Sequence, residues 1–372
     1  MNIDDEEFYN YDEANDIYEE LDEKSIYEWS TDDSEEFLCT VDGKIYTVVG
    51  SNKKMSEDLI AAEAFVQAVL KNNNPAYEIT IAKGKKKITP LPLSRHMEEL
   101  YRVSCMNWIN LEPSEHLKLL LKWLICLDKD FFYFPYKGTG HENQCNAELF
   151  NEVLECIRRD GRSVEFKEAV KARNDDARRM HRSVKGYVDA LFATHSRLLV
   201  LRVDFGYRNP NQSVGQVKGD LSHLFSNQRA NKLFESMMGY VWRLEYGVDK
   251  GYHYHLIYFF HGKDVQKDAF LAHQIGVYWS DVVTKKRGMF FNCNKKKGEY
   301  WYCGIGMVDW SDTVKRNNLQ RAFAYLAKKD KYLRVPSGVG RVMGKGELPA
   351  ARKSSAGRPR LGRAAPGLEI TL

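Results

Sequence analysis

The chain has 372 residues, 43% of them hydrophobic and 12% aromatic, which is typical of a globular protein long enough for about two domains. It contains no run of about 18 apolar residues, and its acidic N-terminus lacks the basic and apolar regions of a secretory signal. We therefore expect a cytoplasmic protein without a membrane partner. Seven scattered cysteines include no C-x-x-C pair, which favours reduced thiols over a zinc site.

Charge is distributed unevenly along the chain. Residues 1–36 hold 16 acidic residues and one lysine, which predicts a disordered acidic tail. The rest of the chain holds 54 Lys and Arg against 35 Asp and Glu. This excess suits an anionic polymer as a partner, with an ordinary solvated basic surface as the alternative. Residues 347–372, rich in Gly, Ala, Pro and Arg, predict a disordered basic tail.

Residues 37–160 predict a small N-terminal domain of mixed α/β structure, in which no residues have catalytic spacing. Residues 161–195 follow as a long charged helix, which is either a connector or a helix that faces nucleic acid. In the N-terminal domain we expect helices at Ser56–Leu70, His116–Leu127 and Ala147–Ile157, and strand pairs at Phe37–Val49 and Tyr77–Leu93.

Residues 196–346 predict the larger domain, a central antiparallel sheet flanked by helices, so that the fold class of the chain is α+β. Arg197–Phe205 alternates with period 2, which places Arg202 and Asp204 on the polar face of a strand. Further helices are predicted at Asp220–Met237, Val265–Val283 and Asn317–Tyr332, and further strands at Met289–Cys293 and Tyr300–Val308.

The most informative stretch, Tyr240–Phe260, consists of two alternating strands joined by a glycine-bounded turn. Its even positions are apolar and aromatic and predict a core face, whereas the odd positions near the turn are polar. With the turn centred on its middle residue, Glu245 lies opposite His253. Arg243 then lies opposite His255, and the paired Cβ atoms are about 4.5–5.5 Å apart. A shift of one residue in the register would separate these side chains.

Two imidazoles and a carboxylate on one sheet face suit a divalent cation. His253 and His255 share a face that is otherwise apolar, where imidazoles without partners would be costly. Glu245 is the expected third ligand, and Asp204 and His261 are the alternatives. Imidazole and carboxylate ligands suit Mn²⁺, while Mg²⁺ usually prevails through its availability.

A tyrosine and two lysines have helical spacing in the predicted helix Asn317–Tyr332. Tyr325 has Lys328 at i+3 and Lys329 at i+4, so both ammonium groups share its face. A nearby ammonium favours a phenolate and stabilises a phosphoryl oxygen, which makes Tyr325 a candidate nucleophile with the two lysines as catalytic partners. Tyr332, two turns later, is a possible second nucleophile. An ordinary structural helix face has the same pattern.

Together these motifs resemble the His-hydrophobic-His (HUH) endonuclease superfamily and, within it, the inovirus gene 2 product-like family, also known as the YagK/YfjJ C-terminal-domain family. The resemblance covers about Ser196 to Gly346, under half of the chain. It rests on WRLEYG-x-x-x-GYHYHL at 242–256, on Tyr278-Trp279-Ser280, on Gly304-Ile305-Gly306 and on AYLAKKDKYLR at 324–334.

Members of this superfamily nick single-stranded DNA at replication origins and start rolling-circle replication. The resemblance implies a cation on the histidine pair and attack by Tyr325 on the scissile phosphate, which joins the 5′-phosphate to the tyrosine and releases a 3′-OH. It also implies that Arg202 and Arg243 bind DNA, with a carboxylate pair as the alternative for Arg243. No Walker motif is present, so a host helicase and polymerase in the bacterial cytoplasm are expected partners.

Two other functions fit the same motifs. An HUH transposase or relaxase would act on transposon ends or on plasmid-transfer sequences instead of a replication origin. A DNA-binding regulator would keep the fold without cleaving DNA, although the intact histidine pair, Tyr325 and Lys328 argue against it.

Overall fold

The computed structural model describes residues 36–41, 44–49, 53–125, 127–139, 144–248 and 250–347. Except for Glu36 and Glu347, the two predicted tails lie outside the described residues. Within the part of the chain that is described, no helix is long and apolar enough to cross a membrane.

The helices and strands of the described residues are numbered along the chain. The α-helices are α1 (Lys53–Lys71), α2 (Met97–Ser104), α3 (Glu115–Leu124), α4 (Lys129–Tyr133), α5 (Asn146–Gly161), α6 (Val164–Thr194), α7 (Val214–Gln228), α8 (Asp268–Val277) and α9 (Thr313–Lys328). The strands are β1 (Glu36–Val41), β2 (Lys44–Val49), β3 (Tyr77–Ala82), β4 (Lys85–Pro90), β5 (Glu112–Pro113), β6 (Arg197–Tyr207), β7 (Met237–Gly247), β8 (Gly251–His261), β9 (Gly288–Asn292), β10 (Gly306–Asp309), β11 (Leu333–Arg334) and β12 (Met343–Lys345).

An eight-stranded sheet lies at the centre of the C-terminal half. Its strands follow the order β12-β7-β8-β6-β9-β1-β2, and β10 also pairs with β6. The pairs in this sheet are antiparallel. The histidine strand β8 lies between β7 and β6 and is therefore a middle strand of this sheet. The fold is therefore mixed α+β, with an antiparallel sheet flanked by helices.

The face of the sheet formed by the even positions of β8 is aromatic. Tyr254 and Tyr258 are fully buried there, and the ring of Phe205 stacks on Trp279 with 4.6 Å between centroids. Helices α7 and α8 cover this face. Full burial of one such side chain stabilises the fold by roughly 1.5–3 kcal/mol. A one-residue slip of β8 would replace these rings by histidines, so the aromatic core fixes the register of the hairpin.

The opposite face of the sheet carries the predicted polar positions and is also covered by helices. Ile257 and Phe259 of β8 share a core with Leu191 of α6 and with Leu319 and Phe323 of α9. The second half of α6 is therefore part of the sheet domain, although the sequence predicted a connector. Because α9 carries Tyr325, the candidate nucleophile approaches the sheet from the histidine-bearing side.

A second core lies in the N-terminal half. It is built from α1 to α5 with β3 and β4, and Tyr332 and Leu333 join it from the far end of the chain. The pairing of β11 with β5 holds these late residues in place. The hairpin β1–β2 pairs with β9 instead, so Glu36–Val41 and Lys44–Val49 extend the large sheet.

Three predicted elements differ in the structure. The helix predicted at Asn317–Tyr332 is shifted towards the N-terminus, and a 3-10 turn follows α9 at Lys329–Lys331. The strand predicted at Tyr300–Val308 is reduced to β10. The helix predicted at Asp220–Met237 is replaced by the shorter α7, because Met237 already pairs in β7.

Candidate functional site

The β7–β8 hairpin has the predicted register. Glu245 pairs with His253, and Arg243 pairs with His255. On the other side of β8, Asp204 of β6 also lies opposite His255. Antiparallel partners project from the same face of a sheet. The fold therefore brings these five side chains together on one face, and the sequence-based pairing of the hairpin is confirmed.

Gly251 closes the turn and positions His253. Its φ of 67° lies in the left-handed region, and a Cβ at this position would lie 1.9 Å from the carbonyl oxygen of Pro210. Its own carbonyl oxygen accepts a hydrogen bond of 3.1 Å from Nδ1 of His253. The backbone therefore requires glycine here, directly beside a candidate ligand.

We expect Gly251→Ala to lower the free energy of unfolding by about 2–3 kcal/mol, because the new Cβ adds left-handed strain and meets backbone atoms. Gly219→Ala is the matched control, since Gly219 lies in α7 with open space around it. That change is expected to be neutral or stabilising by up to about 1 kcal/mol. Chemical denaturation measures both variants, and equal stabilities would contradict the requirement for glycine at 251.

Glu245, His253 and His255, here called the ligand group, form a buried cluster that could hold a cation. Each side chain offers a ligand atom within 4.8 Å of those of the other two, and each residue is at most 7% exposed. Nε2 of His253 and Nε2 of His255 lie 3.8 and 3.2 Å from Oε2 of Glu245. Ligand atoms bound at about 2.0–2.2 Å from a cation are roughly 3–4 Å apart. The donor set and its spacing therefore fit a divalent cation after small side-chain shifts.

Hydrogen bonds at the other ring nitrogens orient both imidazoles. Nδ1 of His253 donates to the carbonyl oxygen of Gly251, and Nδ1 of His255 donates to Oδ1 of Asp204 at 2.9 Å. A proton on each Nδ1 leaves the lone pair of Nε2 for a cation, the usual arrangement of histidine ligands. Asp204 was the alternative ligand in the sequence analysis. It contacts the nitrogen opposite Nε2, a position suited to orienting His255 rather than to binding the cation.

Asp204 is completely buried, and Arg202 stabilises the negative charge of its carboxylate. The guanidinium of Arg202 donates through Nε and Nη2 to the two carboxylate oxygens, at 3.1 and 2.8 Å. Burial alone would raise the pKa of Asp204, but Arg202 and His255 lower it well below its usual range. The side chain of Arg202 is 20% exposed, so only a small part of it is available for the predicted contact with DNA.

His255 lies between two carboxylates. Burial alone would lower its pKa, but Asp204 and Glu245 outweigh this effect and raise the pKa of His255 to about 9. In the absence of a cation the ring therefore carries a proton at neutral pH. The pocket is arranged for positive charge, which either a proton or a metal ion can supply.

Cation binding is expected to strengthen with pH. His255 has a pKa of about 9 in the folded chain against an ordinary value of 6.5. Its proton therefore stabilises the cation-free protein fully below about pH 6.5, and this stabilisation is lost as the pH rises through about 9. A bound cation displaces the proton, so we expect saturating Mn²⁺ to raise the melting temperature more at about pH 8.5 than at about pH 6.5.

Thermal denaturation with and without Mn²⁺ measures this difference, and His255→Ala should abolish it. His261→Ala is the control, because His261 is 30% exposed and pairs with Asp264 outside the ligand group. An equal shift at both pH values would show that no proton is displaced.

Arg243 is enclosed within the protein. It is 2% exposed, its Nη2 pairs with the carboxylate of Asp330, and its Nε lies 3.9 Å from Glu245. Burial would lower the pKa of Arg243, but Asp330, Glu245 and Tyr325 together raise it. Arg243 therefore forms the ion pair with a carboxylate that was the alternative to the predicted DNA contact. It has almost no exposed surface with which to contact DNA.

Tyr325 lies on the same side of the sheet as the two histidines. Its helix α9 contributes Leu319 and Phe323 to the core beneath it, and Tyr325 itself is 8% exposed. Its phenol interacts electrostatically with the guanidinium of Arg243 and raises the pKa of Arg243. Arg243 in turn lies directly across the ladder from His255. Arg243 thus connects the candidate nucleophile with the ligand group.

The other predicted members of the tyrosine face are placed differently. The side chains of Lys328 and Lys329 lie outside the described residues, and Lys329 begins the 3-10 turn after α9. Tyr332 belongs to the N-terminal core. The predicted position of Tyr332, two turns after Tyr325 in the same helix, is wrong because the helix ends at Lys328.

Two residues that the sequence analysis missed hold the segment after α9. Asp330 is 7% exposed and pairs with Arg243. Arg173 of α6 is 4% exposed and donates to the carbonyl oxygen of Asp330 at 2.7 Å. It also donates to the carbonyl oxygens of Pro113 and Glu112, at 2.7 and 3.0 Å. Each lies in a run of charged residues typical of solvated surface, so only the partners reveal their burial.

Comparisons with known proteins bear on the C-terminal half of the chain. Comparison with curated proteins and with solved structures gives no match. A protein-family model does match, and the matched range begins within α5, so that it includes α6 as well as the sheet and α9. Residues 160–335, which hold the ligand group, Asp204 and Tyr325, match the model of the YagK/YfjJ C-terminal domain family.

Proposed function

We propose that residues 196–346 act as an HUH-type enzyme of the inovirus gene 2 product-like family. The enzyme nicks and rejoins single-stranded DNA through a 5′-phosphotyrosine and so initiates rolling-circle replication of a phage, prophage or plasmid. The observation that carries the proposal is that the helix of Tyr325 packs on the sheet face of the ligand group, where Tyr325 interacts electrostatically with Arg243. A nucleophile and a cation site on one face suit metal-assisted phosphoryl transfer.

The proposed reaction exchanges one phosphodiester bond for another. The phenol oxygen of Tyr325 attacks phosphorus and loses its proton, the P–O3′ bond breaks, and the 3′ oxygen takes up a proton and leaves as a hydroxyl. The 5′-phosphate remains joined to the tyrosine, so the reverse reaction can reseal a strand. The released 3′-OH can prime a host polymerase, and a host helicase would separate the strands.

The surrounding residues supply positive charge where negative charge develops. The guanidinium of Arg243 interacts electrostatically with Tyr325 and would stabilise the phenol oxygen as its proton leaves. A divalent cation, Mg²⁺ or Mn²⁺, held by the ligand group would supply Lewis-acid polarisation of the scissile phosphate. Asp204 keeps the ring of His255 in the orientation that this binding needs.

The burial of the site favours one alternative function. The ligand group is at most 7% exposed and Tyr325 is 8% exposed, so a phosphate can enter only if neighbouring side chains move. A DNA-binding regulator that retains the fold without cleavage would need no such entry. The two functions therefore differ in one measurable property, the formation of a covalent bond to DNA.

The test is incubation of the protein with end-labelled single-stranded DNA from the replication origin of the genetic element that encodes it. With Mn²⁺ or Mg²⁺ we expect a covalent adduct that survives denaturing electrophoresis and carries the label only when the 3′ side of the cut is labelled. Chelation of the metal should prevent it. Duplex DNA of the same sequence is the substrate control.

Three results would indicate a different function. Adducts formed only on transposon ends or on plasmid-transfer sequences would indicate a transposase or a relaxase. Metal-dependent cleavage without a covalent adduct would indicate hydrolysis by water. Binding to origin DNA with neither cleavage nor adduct, across the tested origin substrates, would favour the regulator.

A further inference from the structure

The chain between β9 and β10 runs from the ligand group to the tyrosine helix. At its start, Cys293 lies with its Sγ 3.7 Å from Oδ2 of Asp204. At its end, the carbonyl oxygen of Cys303 accepts a hydrogen bond of 3.2 Å from Asn318 of α9. Gly304 follows so close to this helix that a Cβ would lie 2.4 Å from the backbone nitrogen of Leu319. Residues 293–303, here called the bridging segment, thus join the two halves of the site.

Two tyrosines anchor the end of the bridging segment. Tyr300 is half-buried, and burial and the neighbouring Cys293 raise its pKa. Its ring packs against the core that contains Cys293, the first residue of the segment. The ring of Tyr302 lies under the guanidinium of Arg321, at 4.7 Å from the ring centroid. Arg321 is one helical turn before Tyr325.

Trp301 lies between these two anchors and is 96% exposed. Tyr302 beside it is 53% exposed. Tryptophan is large and is usually well buried. A solvent-exposed indole on an anchored segment is therefore unusual. Two adjacent exposed rings, one stacked under a guanidinium, form an aromatic platform at the edge of the proposed active site.

Basic residues lie in the same segment as this platform and on α9. The bridging segment contains three consecutive lysines, Lys295 to Lys297, and Lys297 also pairs with Asp268 at 2.5 Å. Arg321 adds a guanidinium over the ring of Tyr302. Exposed aromatic rings beside basic side chains are the combination with which proteins bind unpaired nucleic acid, since rings stack on bases and cations contact phosphates.

We propose that Trp301, with the stacked pair Tyr302 and Arg321, binds unpaired bases of single-stranded DNA next to the phosphate that Tyr325 attacks. The inference rests on the proposed function for the identity of the strand. Duplex DNA is a poor occupant, because its bases are already stacked and their faces are hidden. The lysines of the bridging segment contact the phosphates of the same strand.

Fluorescence anisotropy with a labelled oligothymidine tests this surface with the full chain in the presence of a metal chelator, so that no cleavage interferes. Trp301→Ala is expected to weaken binding about tenfold, the effect of losing one stacked base. Trp301→Phe keeps a ring and should retain most of the affinity. Phe134→Ala is the matched control, because Phe134 is an aromatic residue that is 56% exposed in the N-terminal half.

The outcomes separate this surface from the nicking activity. Unchanged affinity in Trp301→Ala, or an equal loss in Phe134→Ala, would overturn the surface even if the protein forms adducts. Duplex DNA bound as tightly as the single strand would also overturn it. Conversely, tenfold weaker binding in Trp301→Ala would support the surface even if no adduct forms with metal present. In that case only the proposed nicking activity would be refuted.

Discussion

Tyr325→Phe is expected to lower the rate of covalent adduct formation by about 10³-fold or more, to the limit of detection. The substitution removes only the phenol oxygen, which is the atom proposed to attack phosphorus, and keeps the ring that fills its buried position. The measurement is the rate of adduct formation on labelled origin DNA in the presence of Mn²⁺. Unchanged thermal stability would show that the loss is chemical.

Tyr332→Phe is the matched control for this result. Tyr332 packs in the N-terminal core and not in the core of the sheet face that carries the ligand group. We therefore expect the variant to form the adduct at close to the wild-type rate. An adduct that survives in Tyr325→Phe and disappears in Tyr332→Phe would move the nucleophile to the second tyrosine and would require the segment after α9 to rearrange.

The strand pairing of the hairpin that carries the ligand group was predictable, because the sequence of the hairpin itself determines the register. Alternation with period 2 separates an aromatic face from a polar one, and the glycine-bounded turn sets the pairing of Glu245 with His253. The large aromatic side chains then make any other register costly. The local sequence pattern and the tertiary packing favour the same register in this region. The 21 residues of the hairpin were therefore sufficient to predict the candidate metal site.

The end of α9 was not predictable in the same way. The sequence from Asn317 to Tyr332 continues with good helix formers, so that propensity alone extends the helix through Asp330. The structure ends it at Lys328, where Asp330 pairs with Arg243 and Arg173 binds the backbone of Asp330. Partners more than 80 residues away decided the boundary, and no window along the chain contains that information.

The second half of α6 illustrates the same limit. Its many charged residues predict a solvated connector. The structure buries Tyr187 and Leu191 of this helix against the sheet, and the family match also begins before it. The apolar positions were present in the sequence, but the surrounding charge masked them. The part of a charged helix that faces the core becomes visible only when the partner surface is known.

Asp330→Ala is expected to lower the free energy of unfolding by about 3–5 kcal/mol. The change leaves the guanidinium of Arg243 without its closest carboxylate in a position that is 2% exposed, and an uncompensated buried charge is strongly destabilising. Chemical denaturation gives the difference directly. Asp309→Ala is the matched control, because Asp309 pairs with Arg197 where both side chains are about half-exposed, and its loss should cost less than about 1 kcal/mol. Equal effects of the two changes would show that Arg243 does not depend on Asp330.

A double variant then distinguishes the structural from the chemical role of this pair. Combining Arg243→Met with Asp330→Leu removes both charges and replaces them by apolar groups of similar volume, so most of the lost stability should return. Adduct formation should not return with it, because the restored fold lacks the guanidinium that interacts electrostatically with Tyr325. A double variant that is both stable and fully active would assign Arg243 and Asp330 to the architecture alone, and the charge that stabilises the reacting phenol would then have to come from the ligand group.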